Sequence, residues 1–290
     1  MKQFSVASLH TRMRIFLWAA LAALILFFAG YAPAADLSVS FIDVGQGDSI
    51  FVVSGNSTML IDTGERVQAR KVINFIERYG FSRIDILVGT HPHSDHIGGM
   101  ADIINRFEIG KILMPRVQHN TRTFENALDA IIKNNLTVRS PAAGEIFKLG
   151  AATVTVVGPH KVIDNSLNNY SLVLRLTFDS YSFLFTGDAE HALEADILTS
   201  CVNISSTVLK VGHHGSRTST GAAFLAAVSP EIAVIQVGQG NRYGHPNTVV
   251  LNRLKAAGVE IYRTDIHGTV VAVIFGGALS IATEKAAKGP

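Results

Sequence analysis

With 290 residues, 48% of them hydrophobic and only 17% charged, the chain can bury a sizeable core and is not a charge-rich disordered polypeptide. Its 25 Lys and Arg stand against 23 Asp and Glu, a formal +2 that gives no bulk electrostatic case for binding nucleic acid. The single cysteine, Cys201, excludes an internal disulfide and reads as a small packing residue, so the core or bound metal must hold the fold.

The first element is a leader. Lys2, His10, Arg12 and Arg14 precede the apolar run Ile15–Ala29, and Ala32 and Ala34 then form a small-x-small site. This order predicts a secretory signal over residues 1–34, cleaved after Ala34, and a periplasmic or secreted domain over 35–290. An uncleaved anchor is the alternative, because the run extended through Ala32 approaches the length of a membrane span; only then would the protein be membrane-held. Losing Lys2, Arg12 and Arg14 takes the formal charge from +2 to −1, so any phosphate affinity must come from a local patch or from metals.

From Leu37 the pattern is rich in strands: "LSVSFIDVGQGDSIFVVSG", then "STMLIDTG". "RVQARKVINFIERYGF" predicts a helix with Val67, Ile73, Ile76 and Phe81 near one face. The strand "IDILVGT" follows, then helix "MADIINRF", strand "KILMP" and helix "TFENALDAIIKNNL". The middle returns to strands, "EIFKLGAATVTVVGP" and "SLVLRLTFDSYSFLFTGD", the latter folded about a turn near Asp179 and Ser180. The last third alternates helix and strand and closes on a hairpin at "FGGA". This layout predicts an α/β domain of two mixed sheets packed face to face with helices outside, a four-layered αββα sandwich.

Chemistry concentrates in "THPHSDHIGG", Thr90–Gly99, which places His91, His93, Asp95 and His96 within six residues. Imidazole and carboxylate are ligands that divalent transition metals prefer, and the pattern follows a buried strand. Asp62, Asp188, His213, His214 and His245 also follow predicted strands, at the end where α/β proteins tend to hold ligands.

Together "IDTG", "THPHSDHIGG", "FTGDAE" and "HHGS" resemble the metallo-β-lactamase superfamily. "FIDVGQGDSIFV", "LKVGHHGSRTST" and "VGQGNRYGHP" resemble one branch of it, the C-terminal domain of ComEC-type competence proteins. The resemblance implies a hydrolytic site with two divalent ions, zinc or manganese. It makes His91 and His93 ligands of a first metal, Asp95 and His96 ligands of a second, and Asp188 a bridge between them. One histidine of "HHGS" closes the second site, His214 by preference because Ser216 follows it, with His213 the alternative. Asp62 is assigned to holding the loop by hydrogen bonds. Where many members place a further histidine on the first metal, this chain has "NSLNNYS"; Asn169 is the nearest residue and a poorer ligand, so the first site should be weaker, or more tolerant of oxygen-preferring Mn²⁺.

The candidate catalytic residues are Asp95 and His245, the latter as proton donor or phosphate contact. Asp48, Ser216, Asn241, Arg242 and Tyr243 are candidate substrate contacts. The repeated "VGQG" at Val44–Gly47 and Val237–Gly240 fits either close backbone approach to the site or tight turns. The leader together with the resemblance to the competence branch implies an exported phosphodiesterase acting on DNA or another phosphodiester. Two other classes stay open: hydrolysis of a small lactam, lactone or thioester, and a non-catalytic module binding metal or nucleic acid. A serine hydrolase is disfavoured, since Ser216 lacks a nucleophile-elbow pattern.

Overall fold

Alternation along "LSVSF" decides the first strand. Leu37, Val39 and Phe41 point to one face of β1 (Leu37–Phe41) and Ser38 and Ser40 to the other, as a period of two requires. The computed structural model describes residues 35–200 and 202–286; the leader and the packing role of Cys201 lie outside the described residues.

β1 lies inside an eight-stranded sheet with β2 (Ile50–Ser54), β3 (Ser57–Ile61), β4 (Arg83–Val88), β5 (Glu108–Leu113), β6 (Val138–Arg139), β14 (Val270–Phe275) and β15 (Ala278–Thr283), ordered β15-β14-β1-β2-β3-β4-β5-β6. The second sheet holds β7 (Ile146–Leu149), β8 (Ala152–Gly158), β9 (Val173–Phe178), β10 (Tyr181–Phe185), β11 (Val208–Lys210), β12 (Ile232–Ile235) and β13 (Glu260–Arg263), ordered β13-β12-β11-β10-β9-β8-β7. Each sheet is antiparallel on one side and parallel on the other: β3 to β6 run parallel in the first, β10 to β13 in the second.

Parallel neighbours need crossovers, and the helices supply them. α1 (Ala69–Arg78), α2 (Ser94–Ile97), α3 (Met100–Arg106) and α4 (Arg122–Lys133) serve the first sheet. α5 (His191–Leu198), α6 (Ala222–Val228) and α7 (Thr248–Ala256) serve the second, and a short α8 (Thr264–His267) precedes β14. Val39, Phe41, Val52 and Ile61 meet Val154, Leu174, Phe183 and Phe185 between the sheets. The opposite faces pack under helices, Leu60 and Leu87 against Val72, Ile76 and Ile103, and Leu184 and Leu209 against Leu193 and Phe224. This is the expected four-layered sandwich.

Two local expectations are corrected. α1 starts at Ala69, and its buried stripe is Ala69, Val72 and Ile76; Val67 sits in a preceding 3₁₀ turn and is 86% exposed. Ile73 and Phe81 pack only partly against the core. Inside the histidine loop, "SDHI" winds into the one-turn helix α2, which the sequence pattern did not indicate.

Candidate metal centre

The candidate histidine and aspartate ligands and Asp62 each follow a strand that belongs to one of the two parallel halves. Asp62 follows β3, the histidine loop follows β4, Asp188 follows β10, and His213 and His214 follow β11. The two parallel halves therefore deliver their C-terminal ends to a common rim.

Asp62, in the left-handed region at φ 59, turns back under the histidine loop. Its carboxylate accepts from the Thr90 amide at 2.8 Å, the Thr90 hydroxyl at 2.7 Å and His96 Nδ1 at 2.8 Å. That fixes the His96 ring with Nε2 facing the centre, the usual way a carboxylate orients a ligating imidazole. A glycine is required at position 47, because a Cβ there would collide with the Asp95 carbonyl oxygen, which accepts from the Asp48 amide at 3.1 Å. The two "VGQG" segments touch: Gly238 packs on Gln46 and donates to its side chain at 3.3 Å.

Asp188 Oδ2 is the focus. Four imidazole Nε2 atoms surround it: His96 at 3.2 Å, His214 at 3.5 Å, His213 at 3.7 Å and His91 at 3.8 Å. Asp95 Oδ2 stands 3.2 Å from His214 Nε2. One ligand atom from each of Asp95, His96, Asp188 and His214 lies within 4.8 Å of the others. His96 Nε2, His214 Nε2 and Asp188 Oδ1 are buried with no hydrogen-bond partner, although each is a strong ligand atom. Burial alone would lower the His96 and His214 pKa, but the surrounding carboxylates override it and hold both well above the ordinary imidazole range. Burial likewise opposes ionisation of Asp188 and Asp95, but His214 and His96 hold both carboxyls below theirs. Crowded carboxylates and orphaned imidazole nitrogens are a donor set that a divalent cation fits.

His213 and His214 both adopt left-handed backbone, φ 47 and φ 53, which is costly for residues other than glycine. That turn sends the rings apart. His214 is buried, and its Nδ1 donates to the Gln236 carbonyl at 2.9 Å. His213 stays partly open, with Nδ1 3.4 Å from Glu190 Oε1. His91 Nε2 and His93 Nδ1 lie 3.0 Å apart; His93 lines the open cavity, and His91 is fully buried behind it. Asn169, expected as the weak ligand, is turned away: it donates to Asp164 at 2.8 Å and accepts from the Glu190 amide at 3.2 Å. Its neighbour Asn168 faces the cavity instead, with a buried, unpartnered Oδ1.

Asp48 is corrected as well. It is not at the surface where substrate passes, but buried behind His214, 3.3 Å from Nδ1 and paired with Lys210. Burial disfavours its charge, yet Lys210 and His214 keep its carboxyl below the ordinary range. Lys210 is fully buried, and its ammonium also donates to the Gly187 carbonyl at 3.1 Å. The sequence reading missed it.

A cavity of about 480 Å³ opens over the cluster, lined by His93, Asp95, Asp188, His213, Tyr243 and His245 among others. His119, which lines the same cavity with its ring 6.1 Å from that of His93, was also missed; its Nδ1 lies 3.3 Å from the Pro92 carbonyl oxygen. His245 is pushed down to about 4 by burial and by the nearby His213 and His214 rings. Of the expected substrate contacts, Tyr243 lines the cavity, while Asn241 braces its loop, donating to the His245 carbonyl at 2.6 Å. Arg242 lies over the Tyr243 ring. Ser216 is buried in a local turn with Thr218, 3.0 Å between hydroxyls, and does not face the cavity.

The family model for the metallo-beta-lactamase superfamily matches residues 42–239, a span that contains the whole histidine and aspartate cluster. The chain belongs to the metallo-β-lactamase superfamily. It is 31% identical over 250 residues to ComE operon protein 3 of Bacillus subtilis, covering 80% of this chain and 32% of that protein. It is 32% identical over 259 residues to competence protein ComA of Neisseria gonorrhoeae, covering 87% and 35%. The chain thus spans about a third of the length of these relatives, which are ComEC-type competence proteins. Among solved structures, the metallo-beta-lactamase fold protein YhfI of Bacillus subtilis superposes with a TM-score of 0.55 at 12% identity, over 85% of this chain and all of that one. CmlA of Streptomyces venezuelae, a diiron beta-hydroxylase, superposes at 0.56 with 16% identity, over 83% of this chain and 54% of that one. These two likenesses concern the fold. Among the described residues, no helix is long and apolar enough to cross a membrane.

Proposed function

We propose that this protein is an exported, metal-dependent phosphodiesterase that cleaves DNA, working with two divalent ions, zinc or manganese. The observation that carries the reading is the Asp188 centre: four imidazole nitrogens around one carboxylate oxygen, several of its atoms unpartnered, at the floor of an open cavity. The similarity to competence proteins supports DNA as the phosphodiester, and the apolar leader supports export.

In this reading Asp95, His96, Asp188 and His214 would hold one ion. His91 and His93 would hold the other with Asp188, and His213 Nε2 stands 3.7 Å from the same Asp188 oxygen. Bound ions of this kind activate water and stabilise charge developing on a phosphoryl group. Asp62 keeps His96 in the orientation that frees Nε2; the Gln236 carbonyl holds His214 Nδ1 in the corresponding way, with the charge of Asp48, paired to Lys210, 3.3 Å from that nitrogen. His245, neutral near pH 7, offers a hydrogen bond to a phosphate oxygen on the open side of the cavity. His93 and His213 line the cavity together with Asp188 and would flank a scissile group bound there.

The test is cleavage by purified protein of single-stranded and plasmid DNA, bis-p-nitrophenyl phosphate and nitrocefin, with Mn²⁺ or Zn²⁺ and after chelation. Metal-dependent release from both phosphodiesters is expected. Turnover of nitrocefin alone would move the assignment to a lactam-type substrate, and metal uptake with no turnover of any substrate would make the protein a binding module.

A further inference from the structure

At the mouth of the metal cavity stands an exposed aromatic ring on a braced loop. Tyr243 is 54% exposed and still lines the cavity with Asp188, His213 and His245. Single exposed aromatics are ordinary, so exposure alone assigns nothing. What distinguishes this one is how it is held. The Asn241 side chain accepts from the Tyr243 amide at 3.2 Å and from the His245 amide at 3.0 Å, and it donates to the Gly238 carbonyl at 3.0 Å. Three backbone segments of the loop are thereby tied to one amide group, and the ring is presented with little conformational freedom to lose on binding.

The ring also sits within a graded row of planar groups. Its plane lies within 20° of the His245 imidazole, with centroids 5.9 Å apart, and His245 meets His213 edge-on at 5.7 Å. His213 Nε2 is 3.7 Å from Asp188 Oδ2. The Arg242 guanidinium lies 5.1 Å from the Tyr243 centroid and donates to its hydroxyl at 3.0 Å, which places a positive charge at the outer end of the row. A planar, weakly polar surface with a cation beside it, leading to a phosphoryl-binding floor, matches an unpaired nucleotide: base on the ring, phosphate toward the cation and the centre.

We infer that Tyr243 is a nucleobase-stacking platform, so that the centre receives single-stranded or frayed nucleic acid in preference to paired duplex. The inference rests on the phosphodiesterase reading. In a duplex both faces of a base are covered by its neighbours, and a base must leave the stack before it can lie on a protein ring. Arg242 contributes affinity without sequence preference, because every base has a π face and every nucleotide a phosphate.

The experiment compares kcat/KM of the metal-loaded protein on a labelled single-stranded oligonucleotide, the same strand as duplex, and an abasic strand with identical phosphates. The wild type should prefer the base-bearing single strand over the abasic one by about tenfold or more, the range of one stacked base. Tyr243→Ala should erase that preference, read as the ratio of kcat/KM on the base-bearing strand to that on the abasic strand, and Tyr243→Phe and Tyr243→Trp should keep it. Equal cleavage of base-bearing and abasic strands by the wild type would overturn the platform and leave the phosphodiesterase reading standing. Undiminished preference in a folded Tyr243→Ala protein would overturn it too. Failure to cleave any strand would remove the underlying reading and the platform with it.

Discussion

His213 and His214 are consecutive residues, yet both present Nε2 to the same oxygen of Asp188, at 3.7 and 3.5 Å. They do so from different sides, because two successive left-handed residues swing one ring into the buried cluster with Asp95 and the other toward the open cavity. Alanine at each position should therefore affect a different ion. His214→Ala should weaken the ion held with Asp95 and His96, by more than the about 10- to 100-fold typical of losing an outer-shell partner. His213→Ala should weaken the ion on the His91 and His93 side. Two-step titration with Co²⁺, followed by absorbance and metal analysis, separates the two; loss of the same step in both variants would refute the division.

Asp62→Ala should lower both metal affinity and stability. The change leaves the Thr90 amide, the Thr90 hydroxyl and His96 Nδ1 without their acceptor in a fully buried place. Each unsatisfied buried group costs about 1–3 kcal/mol, so a fall of several kcal/mol in urea denaturation is expected. Metal affinity should drop about 10- to 100-fold as the His96 ring loses its orientation. A variant with unchanged stability and full metal content would show that the hydrogen bonds contribute nothing.

The buried pair Lys210–Asp48 should behave non-additively. Lys210→Met strands the Asp48 carboxylate in the interior, and breaking a buried pair from one side costs about 3–5 kcal/mol. Lys210→Met combined with Asp48→Asn should recover most of that loss, because no charge is then left unpaired. Denaturation midpoints of the two single variants and the double variant complete the cycle; simple additivity would mean the two groups are not coupled.

Asp85 supplies a pH dependence. In the β3–β4 pair the Thr58 amide donates to its carboxylate at 2.9 Å and Arg83 Nε donates at 2.9 Å. Burial alone would raise the Asp85 pKa, but these donors outweigh it and leave the carboxyl below its ordinary 3.8. The folded chain therefore holds the ionised form more firmly than the unfolded chain does. The stabilisation is complete above about 3.8 and fades as pH falls through the lower folded value. Asp85→Asn should cost about 1 kcal/mol at pH 7 and progressively less in acid. A gap that stays constant from pH 7 to pH 3 would rule out the ionised carboxylate as its source.

The sequence carries the fold well because each layer leaves a local trace. Alternation in "LSVSF" marks a face, and the apolar runs before each polar cluster mark strands covered on both sides. The histidine loop is legible because all four of its chemical residues are neighbours in sequence. What stays hidden depends on residues far apart. Lys210 looks like any strand lysine until Asp48 is brought against it from another sheet. Asn168 and Asn169 are chemically alike, and only the 3₁₀ turn at Leu167–Tyr170 decides which faces the cavity. Ser216 and Asp48 sit in suggestive motifs, but their side chains are spent on a local turn and a buried pair. Val67 continues an apolar period that the backbone does not follow.

The pairing of β1 with β14, Leu37 opposite Ile274 through Phe41 opposite Val270, bears on the order of assembly. β1 is among the first strands of the domain and β14 among the last, so one edge of β1 has no ladder until almost the whole chain is available. Closing so long a loop is slow relative to local hairpins such as β9–β10. The segment between β1 and β2 carries Asp48 and Gln46, and its seat against His214 and Gly238 requires the second sheet to be in place. The metal centre should accordingly mature late in folding. During synthesis one side of β1 is an unpaired apolar edge, open to mispairing with another copy.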